Sequence, residues 1–317
     1  MKHLILSRII ACPKCKNILS EGEKGIFCTN ISCFFSINTF PEVTGKPVLV
    51  DFDNSVIKFN HLKNTEASSL VNRTIYFSGF KKSIKRVLNG SNEITKSNFN
   101  KLDELISNIS NPVILIVGGG TVGAGCEKFI EKYRHAIISF DVYNSPNVDF
   151  IADGHSIPLI DNSVDLVIIQ AVLEHVFDPV CVSSECYRVI KSDGYIYAET
   201  PFLQHVHEGP YDFTRFTVLG QRILFKKFES ISMGFVSGVG QSLLWSIEYF
   251  VSGIFRTRKA GKVVKALFFW IRWLEKFIPE EWNSDGACGC YFLGQKSIQI
   301  TEKKISEYLA QYDGTQK

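Results

Sequence analysis

The sequence predicts an α/β fold: a doubly wound, Rossmann-like sheet, preceded by a small cysteine-bearing module and carrying an apolar helical insertion near its end. Three observations lead there. Val113-Ile114-Leu115-Ile116-Val117 is an unbroken apolar run that stops at Gly118-Gly119-Gly120, the pattern of a strand buried on both faces of a parallel sheet. Strand-like and helix-like stretches then alternate, which implies right-handed crossovers between parallel strands. Ahead of that run, Cys12, Cys15, Cys28 and Cys33 crowd into the first 33 of 317 residues, too short a stretch for a core of its own.

Taken in order, residues 1–51 read as one module, with short β-like runs at 26–28 and 47–50 between turn-rich segments. Cys12-Pro13-Lys14-Cys15 and the pair Cys28/Cys33 are separated by 12 residues. Two close pairs at such a distance can bring four thiolates to one tetrahedral ion, and zinc favours a closed four-sulfur site. Residues 52–110 are polar and serve as a linker or helical cap. Within them Leu102, Leu105, Ile106 and Ile109 recur at helical spacing, which predicts a helix over 100–110. The main domain runs over 111–300, with strands at 113–117, 136–140, 148–151, 165–170 and 194–199, helices at 126–133 and 180–190, and a late strand at 287–294. Residues 301–317 form a tail.

The bulk numbers exclude some classes. With 45% hydrophobic and 21% charged residues the chain is globular rather than disordered. A net charge of +3 gives no strong case for a nucleic-acid partner. Nine cysteines, an odd number, without a recognisable secretory leader predict a reducing, cytoplasmic setting. No stretch reaches the roughly 18 apolar residues of a spanning helix.

The loop Gly118-Gly119-Gly120-Thr121-Val122-Gly123 brings backbone close to a ligand and leads to a helix start with free N–H groups. Asp141, 23 residues after Gly118, stands where an acid can hold ribose hydroxyls. So far a dinucleotide enzyme fits equally well. The downstream order is more particular: Ala152-Asp153-Gly154-His155-Ser156-Ile157-Pro158-Leu159, then Asn162-Ser163-Val164-Asp165-Leu166-Val167-Ile168, then Leu173-Glu174-His175, then Arg188 to the Asp193-Gly194 turn. Over about 112–200 this resembles the class I S-adenosylmethionine-dependent methyltransferase superfamily, in its branch acting on small molecules, lipids and sugars. The resemblance implies that Gly118, Gly119 and Gly120 face the methionine and ribose parts of S-adenosylmethionine. It implies that Asp141 holds the ribose, Val142 or Tyr143 packs on adenine, and Asp153, with Ala152 and Gly154, borders the adenine edge. Gln170 and Ala171 would border the transferred methyl group. The chain departs from the family at Ile116, where an acidic residue usually stands. Residues 10–51 resemble the small zinc-ribbon family that includes activator subunits of tRNA methyltransferases, which implies structural zinc on Cys12, Cys15, Cys28 and Cys33.

Residues 200–217 hold two histidines, two acids, a tyrosine and an arginine at the expected ligand edge of the sheet. His205 or His207 is the candidate general base, Asp212 or Glu208 would orient it, and Arg215 would meet an anionic acceptor. The segment resembles that of methyltransferases found with cell-surface polysaccharide synthesis, implying a small-molecule or glycan acceptor. RNA or protein methylation, and a non-catalytic scaffold keeping the fold alone, are the alternatives. In the apolar segment 241–279, Arg258, Lys262, Lys265, Arg272 and Lys276 fall on one stripe if the whole is wound as a single helix. That suits peripheral contact with a membrane, a lid, or a homodimer face.

Overall fold

The computed structural model describes residues 8–59, 62, 92–121, 123, 125–297 and 303–316. Val122 of the glycine loop and most of the 52–110 segment lie outside the described residues.

The centre is a seven-stranded sheet. Its first strand, β5 (Ile114–Val117), lies between β6 (Ile137–Asp141) and β8 (Val164–Gln170). β7 (Phe150–Ile151) follows β6 on one side and β9 (Ile190–Pro201) follows β8 on the other, all pairing in parallel. β11 (Gly289–Gln295) inserts antiparallel between β9 and the edge strand β10 (Glu229–Ser237). The spatial order is thus β10-β11-β9-β8-β5-β6-β7. Ile114, Leu115, Leu166, Val167, Ile169, Ile196 and Ala198 are all fully buried, as expected of strands covered on both faces.

β10 is absent from the sequence-based expectation. Its Ile231, Met233 and Phe235 alternate with Ser230, Ser232 and Gly234, a period-two pattern diluted by small residues and typical of a half-covered edge strand. Helix α1 (Glu93–Ile106) starts earlier than the leucine spacing indicates, because Asn92 caps it by accepting from Thr95 N–H. It buries Phe99, Leu102 and Ile106, and the Phe99 ring meets Phe129 and Tyr197 edge to face. Helix α2 (Glu127–Tyr133) covers the same sheet face, while α3 (Pro179–Val189) and α4 (Val218–Leu224) cover the other.

The segment 241–279 is helical but not one helix. It is built of α5 (Val239–Ile254), α6 (Arg258–Leu267) and α7 (Ile271–Leu274). α6 packs on α5 at Gly261, where an added Cβ would lie 2.3 Å from the Glu248 carbonyl oxygen. The turns between these helices break the single basic stripe: Lys265 pairs with Glu248 at 3.0 Å, and Arg272 is half-buried.

The N-terminal module has two hairpins, β1 (Leu19–Gly22) with β2 (Gly25–Cys28), and β3 (Glu42–Val43) with β4 (Lys46–Pro47). It does not stand apart from the sheet. Ile10 bridges Leu159, Val48 bridges Ile151, and Leu49 N–H donates to the Ile151 carbonyl. Leu19, Phe35, Phe40 and Leu49 belong to the same core as Leu115 and Phe150, so the missing core is borrowed from the main domain. A charged clasp completes the docking. Lys16 reaches Glu185 at 2.9 Å, and Glu185 also receives Arg188 and the Ile157 N–H. Glu185 is held below the usual carboxylate range: burial opposes this, but Arg188 and Lys16 outweigh it. Glu185→Gln leaves the partly buried Lys16 without its carboxylate and Arg188 with Asp161 as its remaining counter-charge. The variant should lose about 3 kcal/mol of unfolding free energy in urea, still in a single transition. Two separated transitions would show that the module unfolds by itself.

Candidate active site

In a doubly wound sheet a crevice opens at the carboxyl ends where successive connections leave in opposite directions; here that point lies between β5 and β8. The glycine loop sits there. Gly118 has φ +74°, and a Cβ on it would lie 2.2 Å from Val172 Cγ2. A Cβ on Gly120 would lie 2.6 Å from Asp141 Oδ2, the oxygen that accepts the Gly120 N–H at 2.8 Å. Gly119 N–H donates to the Phe140 carbonyl. The loop and Asp141, far apart in sequence, are thus one unit. Ala171, directly after β8, holds φ +52° despite its side chain, a local strain of the sort concentrated at functional edges.

The residues expected at the adenine side are brought together, and the N-terminal segment covers them. Asp153 accepts from His155 N–H at 3.0 Å, from the His155 ring at 2.6 Å and from Ser55 Oγ at 2.5 Å. Burial alone would raise its pKa; the His155 and Ser55 bonds hold it below the usual range instead. Val142 packs on the cluster of Val43, Val48, Val50 and Ile57. Ala152 is fully buried, and Gly154 lies against Val182. A cavity of about 150 Å³ remains beside Asp153, lined by Pro13, Lys14, Asp51, Asn54 and Ser55. Nothing local in the sequence marks Ser55, which stands 98 positions from its partner.

At the other side, Gln170 donates to Glu199 at 2.9 Å, and Glu199 also receives Thr95 Oγ1 and Tyr197 OH, each at 2.5 Å. Burial raises the Glu199 pKa, and these three donors oppose the rise. A half-buried carboxyl with a raised pKa at the carboxyl edge of a sheet is a functional-site signal that nothing local in the sequence marks. Ile116 lines a cavity of about 170 Å³ with Gly119, Gly123, Phe99, Ile168 and Gln170.

The loop after β9 is held firmly. Arg215 makes two bonds to the Asp212 carboxylate and donates to the Gln204 carbonyl at 2.9 Å. Its guanidinium is therefore committed to loop structure rather than offered to an acceptor. Asp212 also accepts the His207 N–H at 2.9 Å. The two candidate bases diverge. His205 stacks on Tyr249 of α5, centroids 4.2 Å apart, and its buried Nδ1 has no hydrogen-bond partner among the described residues. His207 Nε2 faces His175 Nε2 at 3.1 Å. Glu208 is buried.

In the N-terminal module the four sulfurs converge within 4.8 Å. Cys12 and Cys33 are 3.7 Å apart, Cys15 and Cys28 3.4 Å. Sulfurs at about 2.3 Å from one zinc ion in a tetrahedron lie about 3.8 Å apart, so the donor set fits such an ion. Backbone Asn30 N–H and the Asn17 amide point at Cys28 and Cys15 sulfur, as donors to thiolates do. None of the nine cysteines forms a disulfide.

Residues 126–198 match the model of the methyltransferase domain family. No curated protein matches the chain. Among solved structures, the chain is similar to an S-adenosylmethionine-dependent methyltransferase from Archaeoglobus fulgidus (16% identity, 69% of this chain and 100% of that one, TM-score 0.41). It is also similar to phosphoethanolamine N-methyltransferase 2 of Haemonchus contortus in complex with S-adenosyl-L-methionine (16%, 68% and 56%, 0.43). A third is the [4+2]-cyclase SpnF (16%, 64% and 82%, 0.41).

The Asp212 clasp gives a test. Burial would raise the Asp212 pKa, but Arg215 and the His207 N–H bring it from 3.8 to about 2. A carboxyl lowered on folding stabilises the fold above its unfolded value and loses that contribution as pH falls through the folded one. Asp212→Asn should cost about 2 kcal/mol at pH 7. In denaturant titrations at several pH values, its deficit from wild type should shrink between pH 4 and 2. A deficit that stays constant across that range would exclude the clasp as its source.

Proposed function

We propose that the chain transfers a methyl group from S-adenosylmethionine to a hydroxyl of a sugar or glycan precursor of cell-surface polysaccharide, working in the cytoplasm. The match of 126–198 to the methyltransferase domain carries the first half of this reading. That stretch runs from the start of α2 into β9 and includes Asp141, Asp153 and Gln170. The cofactor's ribose would meet Asp141 and the Gly118–Gly120 backbone, its adenine the Val142, Ala152, Asp153 and Gly154 side, and its methionine end Gln170 and Glu199. Bound S-adenosylmethionine supplies an electrophilic methyl on a sulfonium. The protein's part is to hold the acceptor oxygen in line and to take its proton. His205 is the better base of the two, since His207 is engaged with His175 and Asp212. The acceptor class rests on the His205-to-Thr217 segment alone. A structural zinc ion on Cys12, Cys15, Cys28 and Cys33 would brace the module that closes over Asp153.

Calorimetric titration with S-adenosylmethionine should show one site per chain. In a screen of nucleotide sugars for cofactor turnover, His205→Ala should lower kcat by about 10²- to 10⁴-fold with cofactor affinity kept. A folded protein that takes up no cofactor would leave only the scaffold reading.

The helical insertion supports contact with an anionic lipid surface. Among the described residues no helix is long and apolar enough to cross a membrane. Yet Phe250, Phe255, Leu267, Trp273 and Phe277 are exposed, Phe277 at 84%, alongside exposed Arg256, Lys259, Lys262 and Lys276. Aromatic and aliphatic groups rimmed by cations suit a headgroup interface. The protein should float with phosphatidylglycerol vesicles and not with neutral ones, and Trp273→Ser with Phe277→Ser should release it. Doubled mass by light scattering without vesicles, and no flotation, would assign the patch to a homodimer instead.

A further inference from the structure

A second donor cluster lies away from the cysteines, on the acceptor side of the sheet. Glu174 and His175 stand on a short 3₁₀ turn after β8, and His207 stands on the loop after β9. One Glu174 oxygen, His175 Nε2 and His207 Nε2 lie within 4.8 Å of one another. The two ring nitrogens are 3.1 Å apart, and Glu174 Oε1 is 3.6 Å from the first and 3.8 Å from the second.

The hydrogen bonds made by the far nitrogens assign the tautomers. His175 Nδ1 is 2.7 Å from the Tyr211 carbonyl, which can only accept, so Nδ1 carries the hydrogen. His207 Nδ1 lies 3.3 Å from both the His205 carbonyl and the Asp212 carboxylate, so it carries one too. In neutral imidazoles both Nε2 atoms then present lone pairs, and they present them to each other. Two such lone pairs repel unless a cation stands between them. Two imidazole nitrogens bound to one zinc at about 2.0–2.1 Å in a tetrahedron lie about 3.3 Å apart, close to the separation found here. Anchoring each ligand imidazole through its other N–H to a carbonyl or carboxylate is the usual support of a metal-bound histidine.

We propose that Glu174, His175 and His207 form a binding site for a divalent transition-metal ion of the zinc type, distinct from the four-cysteine cluster. Two nitrogens and one carboxylate oxygen favour zinc, iron or cobalt over magnesium or calcium, which take oxygen ligands. Three protein ligands leave a coordination position for a water or an acceptor oxygen. The histidine side chains keep 17% and 15% of their surface exposed, so an ion can enter, while Glu174 at 1% fixes the floor of the site. The inference stands independently of methyl transfer: cofactor calorimetry can fail with the metal bound, and the reverse.

The test uses untagged full-length protein, stripped by a chelator and titrated with Co²⁺ under reducing, oxygen-free conditions. Cobalt on the cysteines gives thiolate charge-transfer absorption in the near ultraviolet; cobalt on nitrogen and oxygen gives only visible d–d bands. Expected is one equivalent per chain that adds visible bands without adding charge transfer. That equivalent should be lost in His175→Gln and in His207→Gln, with the thiolate signal unchanged. Wild-type protein in which all bound cobalt carries charge transfer overturns the proposal, whether or not the variants fold, and means that the two rings share a proton instead. A folded His207→Gln that keeps the equivalent overturns it as well.

Discussion

The contact between Gly120 and Asp141 is the constraint around which the crevice is arranged. The Asp141 carboxylate takes the Gly120 N–H at 2.8 Å, at a distance where no side chain on residue 120 has room. The end of β5 is thereby tied to the end of β6. On its other side the same loop is limited by Val172, which lies over Gly118. The glycines follow from this double confinement as much as from any ligand: backbone has to pass between a carboxylate and a valine. Once the loop is fixed there, the positions of Gln170, Ala171 and the turn bearing Glu174 follow, because all leave from β8, the strand paired directly with β5.

Around that fixed point the walls of the crevice come from parts outside the central sheet. The N-terminal segment contributes Ser55 to Asp153 and Ile57 to the Val142 side. Helix α1 contributes Thr95 to Glu199 and Asn98 to Tyr197. Helix α5 contributes Tyr249, which stacks on His205 and donates from its hydroxyl to the Val206 carbonyl. Each wall depends on tertiary docking, so loss of the Lys16–Glu185–Arg188 clasp would be felt at Asp153 as well as in global stability.

This division explains how much the sequence could convey. The interior strands are legible because burial on both faces forces continuous apolar runs. The glycine loop and Asp141 are legible because their spacing is set by one β–loop–α–β unit. The clustering of the four cysteines is legible because each pair is close in sequence. β10 is not, since an edge strand tolerates serine and glycine on its open face. Ser55 and Glu199 escape because their meaning lies in partners 98 and 104 positions away. Arg215 misleads for a similar reason: a cation at a ligand edge reads as an acceptor contact until its bonds to Asp212 three residues earlier are seen. The single basic stripe over 241–279 assumed one helix, and the turns after Ile254 and Leu267 reorient its members.

His205 and His207 show how one short segment can serve two environments. Side chains two residues apart share a face only in regular extended chain, and this loop is not regular. Asp212 and Arg215 pull it back on itself, so His205 turns to Tyr249 and His207 to His175. The pair looks redundant in sequence and is not so in space. His207 is held by Asp212 and by His175 on the turn after β8. His205 rests on α5, whose outer surface carries the exposed Phe250 and Ile254. Tyr249 links α5 to this loop by the stack on His205 and the bond to the Val206 carbonyl. His205 is then the member of the pair that a shift of α5 can reach, while the geometry at His207 is set by its own loop and the turn after β8.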